Sequence, residues 1–387
     1  MPVELERIPD QKPKPSRPAT LRWLIFGVVL ILAWMGGTFL FWQGSREGGR
    51  FWFLALALPL LLWGMAFVFR RGGYKLLSVG SESANQSRER RLRIETERGQ
   101  RFAWFIGEHL INALEEDNQP TQEAAIRRMP VLVPVSPVNG GTPVRHSALS
   151  IAGKTDDRLS SYLADIVGQA NRLLASIPKE MTCYLALDNG GSLADICGAL
   201  QAEIQRPLLR IRNLSGFSIL DYWLDHHYNK PAVLLIISAQ LQDLPQEDSG
   251  EAISVLLMSN CRLKDTPETS VKLHRPQICV DGNLNHALAR TLLWSALDKT
   301  SVLRGWISGG ALSSNETLSM ACGVHAPTLT ADRVVNIDTV VGFTGVAAPW
   351  QAILLAARQC LTDKEPQLIV IESSSDLWQL CTVTPEE

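Results

Sequence analysis

The chain has 387 residues, 46% of them hydrophobic and 20% charged, with a formal net charge of −2. That length can bury one large double core or two ordinary ones, and so even a charge balance excludes the electrostatic footprint of a nucleic-acid binder. The seven cysteines (Cys183, Cys197, Cys261, Cys279, Cys322, Cys360 and Cys381) show no CxxC pairing; an odd, scattered set fits reduced cytosolic thiols better than a disulfide framework or a zinc site.

After a polar tail at 1–22, residues 23–42 (WLIFGVVLILAWMGGTFLFW) and 51–69 (FWFLALALPLLLWGMAFVF) contain no charge. Roughly 20 apolar residues cross a bilayer, so the pattern predicts a transmembrane hairpin over 23–69. Trp23, Trp42 and Trp52 stand at the ends of the spans, where indoles prefer the interface. A secretory signal peptide would have a shorter apolar core and no reason for a second span. Arg7, Lys12, Lys14, Arg17 and Arg22 precede the first span and Arg70, Arg71 and Lys75 follow the second, against Arg46 and Arg50 between them. The positive-inside rule therefore predicts both termini in the cytoplasm. Residues 70–100 read as a solvated linker running into a helix, with RERRLR as a water-facing surface or a patch near anionic headgroups.

The soluble body, 101–387, repeats its signals in two halves, 101–259 and 260–387. In the first, a helical pattern (RLSSYLADIVGQANRLLASI) leads to the strand TCYLALD, a turn at Gly190-Gly191 and a helix; Gly216-Phe217-Ser218 then opens another helix before the strands KPAVLLIISA and EAISVLLM. In the second, NHALARTLLWSALDKT leads to the short strand RGWIS, a turn at Gly309-Gly310 and a helix; Gly342-Phe343-Thr344 opens the next helix before EPQLIVIES and DLWQLCTVT. The separation of counterparts grows steadily along the chain, as loop insertions give. These strands are apolar throughout rather than alternating, which calls for cover on both faces. Two such halves predict an α/β double domain with helices in the middle.

The stretches LSGFSILDYWLDHHYNKPAVLLIISAQ, EAISVLLM, WISGGALSSNE and VGFTGVAAPWQAILLAA resemble, in order and pattern, the thiolase-like fold of the β-ketoacyl synthases, a pseudo-duplicated five-layer domain. The resemblance implies catalytic groups at three places, and this sequence departs at each. The family's nucleophilic cysteine would stand at the helix start, where the helix terminus lowers a thiol pKa, but here that start reads Leu214-Ser215-Gly216. Its two histidines would fall in turns that here read Ile307-Ser308-Gly309 and Gly342-Phe343-Thr344. Phenylalanine carries no ring nitrogen to move a proton, so the expectation is a fold kept without its chemistry: not an enzyme, with no catalytic residue, cofactor or metal.

Other candidates have plainer explanations. Ser215 at a helix start lacks an adjacent base and reads as an N-cap or turn serine. His226 and His227 diverge by about 100° on a helix, so they do not share a metal. The glycines in DNGGS (188–192) and NGG (139–141) lack the P-loop Lys-Ser/Thr and the dinucleotide fingerprint, and read as turns. Trp223, Trp294, Trp306, Trp350 and Trp378 fall in apolar runs and read as core.

A cytoplasmic body on a membrane hairpin also resembles in layout the type VI secretion lipase adaptor family. That likeness implies a bacterial inner-membrane adaptor or chaperone binding a protein partner, a secreted lipase effector or a spike protein. The apolar helices being needed for the interior, loops 136–146, 242–250 and 262–276, where Pro, Gly and charged residues collect, are the expected contact surface. Family members of the thiolase-like fold imply a homodimer. The alternatives are an atypical acyl-thioester enzyme of the thiolase superfamily and a structural inner-membrane subunit.

Overall fold

The segment AVLLIISAQ has no polar alternation, and the computed structural model shows why. Val233, Leu235 and Ile237 pack with Ile166, Ala170 and Leu174 on one face, while Leu234 and Ile236 pack with Leu220, Trp223 and Leu354 on the other. A strand covered on both faces has no side that needs to be polar. Each fully buried Leu or Ile contributes about 1.5–3 kcal/mol of transfer free energy. The structure describes residues 5–386 apart from 45, 137–140, 152, 189–197, 199, 201, 264–269, 280–281, 302, 310–315 and 375–376.

Residues 97–387 form one unit and 4–96 another. The smaller unit holds α1 (Thr20–Phe41) and all but the last three residues of α2 (Gly49–Gly99), both helices long and apolar enough to cross a membrane. In this unit a Cβ on Gly27 would overlap the Trp63 ring, so that glycine permits the close approach of indole to helix. A π turn over Phe53–Ala57 disturbs the hydrogen-bond ladder of α2, and the Trp34 indole donates to the Leu54 carbonyl there, 3.0 Å away. The polar stretch expected to be a linker is helical through Gly99. Its Arg, Glu, Gln and Ser residues suit a solvated helix as well as a coil, and composition alone does not separate the two.

The larger unit begins with β1 (Phe102–Ile111), β2 (Val133–Val135) and β3 (Val144–Ser147). It continues with α3 (Thr155–Ala175), β4 (Thr182–Asp188), β5 (Leu208–Ile211), α4 (Phe217–His226), β6 (Ala232–Gln240), β7 (Ser249–Gly250) and β8 (Ala252–Ser259). After β9 (Val271–His274) and β10 (Gln277–Cys279) come α5 (Leu284–Trp294), β11 (Arg304–Ser308), α6 (Glu316–His325), β12 (Val334–Asn336), α7 (Ala348–Asp363), β13 (Gln367–Ser374) and β14 (Leu377–Pro385).

The repeat is present in the strand order. One half runs β5-β4-β6-β8 and the other β12-β11-β13-β14, each with three parallel strands and a fourth antiparallel. Between them α4 and α7 fill the middle, and twelve of the sixteen residues of α7 are buried, as a helix apolar on all sides must be. Outside, α3 covers the first half, and α5 and α6 cover Leu368 and Val370 of the second. Helix, sheet, helices, sheet, helices make five layers.

Eight of the fourteen described strands escaped the sequence reading: β1, β2, β3, β5, β7, β9, β10 and β12. β5 and β12 are short edges, and β1 and β9 pair with each other and with β8 and β14, joining both halves into one eleven-stranded sheet. β9 lies inside the expected loop 262–276, yet Val271 and Leu273 are each 1% exposed. Four residues, one of them Lys272, are too few to announce a strand by periodicity.

Candidate functional site

The start of α4 is where a helix presents unpaired N–H groups. Gly216 takes φ +54°, which glycine adopts most cheaply, and its N–H donates to Asp188 Oδ2 at 2.7 Å. The next N–H, of Phe217, donates to Gln379 Oε1 at 2.7 Å, and Gln379 Nε2 donates to Ser373 Oγ at 2.7 Å. Asp188, at the end of β4, also accepts from the Trp350 indole at 2.7 Å. Burial pushes the Asp188 carboxyl up, although the Trp350 and Gly216 N–H groups oppose the shift. Residues of both halves thus meet at this helix start: Asp188 from the first, Gln379, Ser373 and Trp350 from the second.

A second aspartate serves the other half. Asp338 accepts from Ser308 Oγ and from Gly309 N–H, each at 2.6 Å, at the end of β11. Burial raises its carboxyl pKa against those two donors. The turn at Gly342 is held through its backbone. Phe343 N–H donates to Asp248 O at 2.8 Å, and Gly250 N–H donates to Phe343 O at 3.0 Å. Gly342 has φ +75°, and a Cβ there would overlap the Ser249 carbonyl. Behind the turn, Thr344 Oγ1 donates to Gln351 Oε1 at 2.9 Å.

A buried polar cluster pins this turn to the first half. Glu251 accepts from both terminal nitrogens of Arg158 and from the Leu149 and Gln242 N–H groups, and His146 Nε2 lies 3.9 Å from it. Burial works against the Glu251 charge, yet His146, Arg158 and the two backbone donors hold its carboxyl at about 2. His146 Nδ1 is 2.8 Å from Ser249 Oγ, and Ser147 Oγ donates to Val341 O.

The structure brings together some of the residues read from the sequence. Leu214 packs on the central core and Ser215 is exposed beside it. Ser308 and Gly309 gather at Asp338, and Gly309 (φ +129°) lies against Glu372. Ile307 turns away, packing with the outer cluster under α5 and α6. Gly190, Gly191 and Gly310 lie outside the described residues. His226 and His227 have ring centroids 6.4 Å apart, and His227 stacks on Tyr184. All five tryptophans assigned to the core are buried. The sequence reading missed Asp188, Asp338, Trp350 and Gln379 as parts of the site. A carboxylate closing an apolar strand directly before a glycine turn was the available signal for Asp188; Gln379 had none.

No protein-family model matches this sequence, and no curated protein does either. Solved structures do. A ketosynthase from module 1 of the bacillaene synthase of Bacillus amyloliquefaciens superposes with a TM-score of 0.52 at 8% identity, over 75% of this chain and 74% of that one. The ishigamide ketosynthase/chain length factor gives a TM-score of 0.50 at 12% identity, over 73% of this chain and 99% of that one. The fold is thiolase-like. These comparisons also correct the expectation that the chain is not an enzyme: the neighbours are ketosynthases, so the thiolase-like fold is an enzymatic one. That expectation inferred activity from motif letters alone, while the fold is set by packing and survives their exchange.

Proposed function

We propose that this chain is a membrane-anchored protein whose thiolase-like body binds a protein partner through the small sheet β2-β3-β7. One observation carries the reading. The C-terminal ends of two of the three segments picked out as contact loops, 136–146 and 242–250, come together, because His146 pairs with Ser249 and Ser147, just past the first segment, with Gly250. Arg145 bonds both Glu247 and Asp248, so the surface is set before a partner arrives and loses less entropy on binding. Met129, four residues before β2, Val133, its first residue, and Leu244, five residues before β7, are 54%, 55% and 64% exposed. Large apolar side chains on an ordered margin favour protein contact. The third segment, 262–276, contributes β9 to the interior and is dropped from the surface.

The layout likeness to lipase adaptors makes a secreted lipase the first partner to test, with the membrane hairpin raising its local concentration. Titration of a lipase encoded beside this gene into the detergent-solubilised chain should give saturable binding. The triple substitution Met129→Asp, Val133→Asp, Leu244→Asp should weaken it at least tenfold without moving the Tm. Unchanged affinity in that variant would remove the small sheet from the reading.

A second reading, acyl-thioester chemistry, is favoured by the ketosynthase neighbours. On it, Asp188 and the N–H groups at the start of α4 are the groups to probe. Thiol release from an acyl-coenzyme A, abolished by Asp188→Asn, would support this reading.

A further inference from the structure

We infer that the smaller unit contains a binding site for the phosphate of an anionic phospholipid headgroup; the inference rests on the membrane-anchored reading above. A cavity of about 220 Å³ opens between the beginning of α1 and the part of α2 just past its apolar run. Its walls include Arg17, Arg70, Arg71 and Lys75, with Trp23 and Tyr74 beside them, and among the described residues no carboxylate lines it. Four like charges around one hollow repel each other, and a shared anion turns that repulsion into attraction.

Three features fit a headgroup. Arg70 lies over the Trp23 ring, 4.5 Å from its centroid, which holds the guanidinium at the indole and leaves its edge free for a phosphate. α1 starts at Thr20 without a side-chain cap, so its first N–H groups add positive potential to the same hollow. The depth also agrees: Arg70 directly follows the uncharged run ending at Phe69, and Trp23 begins the other, which places both at the level where indoles and headgroups meet. Arginine pairs bind phosphate oxygens in a bidentate fork, and acyl chains can continue along the exposed apolar side chains Ile25, Phe26 and Val29.

Native mass spectrometry of the full chain in detergent tests the site, with phosphatidylglycerol or phosphatidylcholine added at equal concentration. One phosphatidylglycerol should be retained at least tenfold better than phosphatidylcholine. Arg70→Gln with Arg71→Gln should abolish the preference, while Arg90→Gln with Arg91→Gln should not. That second pair removes the same charge about 30 Å further along the helix, at 1.5 Å per residue. Equal loss in both double variants, or no preference in the parent, would reduce the effect to general charge attraction and overturn the site. Displacement of the lipid by millimolar inorganic phosphate would assign the cavity to a soluble anion instead. Resistance to alkaline extraction is read on the membranes from which the chain is solubilised: failure there defeats the anchor reading, whereas an inserted chain with no lipid preference defeats only this inference. Arg70→Lys with Arg71→Lys keeps the charge and should retain part of the preference, which guards against misfolding of the glutamine variant.

Discussion

At Gly216-Phe217-Ser218 the chain turns straight into α4, whereas at Gly342-Phe343-Thr344 it first pairs with residues 248–250 and enters α7 only at Ala348. The local sequences are nearly the same, but their backbone groups are satisfied differently. Side chains, Asp188 and Gln379, accept the N–H groups of the first turn; backbone carbonyl and amide groups hold the second. A side chain can rotate away and release its donor, while a paired backbone must unfold locally to do so. The first turn is therefore the adjustable one, and the second the fixed one.

The largest test of that difference is a pair of glycine substitutions. Gly342→Ala forces a Cβ onto the Ser249 backbone at φ +75° and should cost about 4 kcal/mol. Gly216→Ala meets the Gln379 amide, 2.7 Å from the added Cβ, and should cost about 2 kcal/mol because that amide can move. Urea denaturation of residues 97–387 measures both, and equal costs would break the distinction.

Acid probes the junction between the halves at another point. His274 in β9 is driven down to about 4 by burial and then by the nearby Lys272 charge, with its Nε2 2.8 Å from Thr384 Oγ1. The folded state therefore keeps this imidazole neutral where the unfolded chain, with a pKa near 6.5, takes a proton. No stability is lost above about pH 6.5, and about 3 kcal/mol drains away between there and pH 4. The Glu251 carboxyl, held at about 2, adds its own loss only as pH falls from about 4.5. Denaturation at pH 7 and pH 5 separates the two, and His274→Gln should flatten the upper part of the slope. A slope unchanged by that substitution would assign the acid sensitivity elsewhere.

Smaller effects belong to the adjustable turn. Gln379→Ala leaves the Phe217 N–H without its acceptor and should cost about 1–2 kcal/mol. Asp188→Asn keeps an acceptor for Gly216 and should change stability at pH 7 by less than about 1 kcal/mol. Since the folded-state pKa of Asp188 is raised, the parent gains stability relative to the Asn variant as pH falls through that value. The variants' denaturation curves between pH 7 and pH 4 check the sign.

The repeat was legible because both halves spell their strands as unbroken apolar runs, and AVLLIISAQ and QLIVIESS occupy equivalent places beside β4 and β11. The site was legible only in part. Ser215, Ser308 and Phe343 could be placed in turns by their glycines, but nothing near them in sequence announces Gln379, which reaches Phe217 from 162 residues away. Loop composition pointed to 136–146 and 242–250 as one kind of segment; their pairing into a sheet is a long-range event.

By itself the sequence determined two uncharged runs of membrane length, a duplicated order of elements and the helices that must be buried, since hydrophobic periodicity and length act locally along the chain. The tertiary structure alone decided that β9, four residues with a lysine among them, lies at the centre of an eleven-stranded sheet, and which side chains fill the start of α4. Strand pairing and the satisfaction of buried donors depend on partners distant in the chain, and local propensity does not encode them.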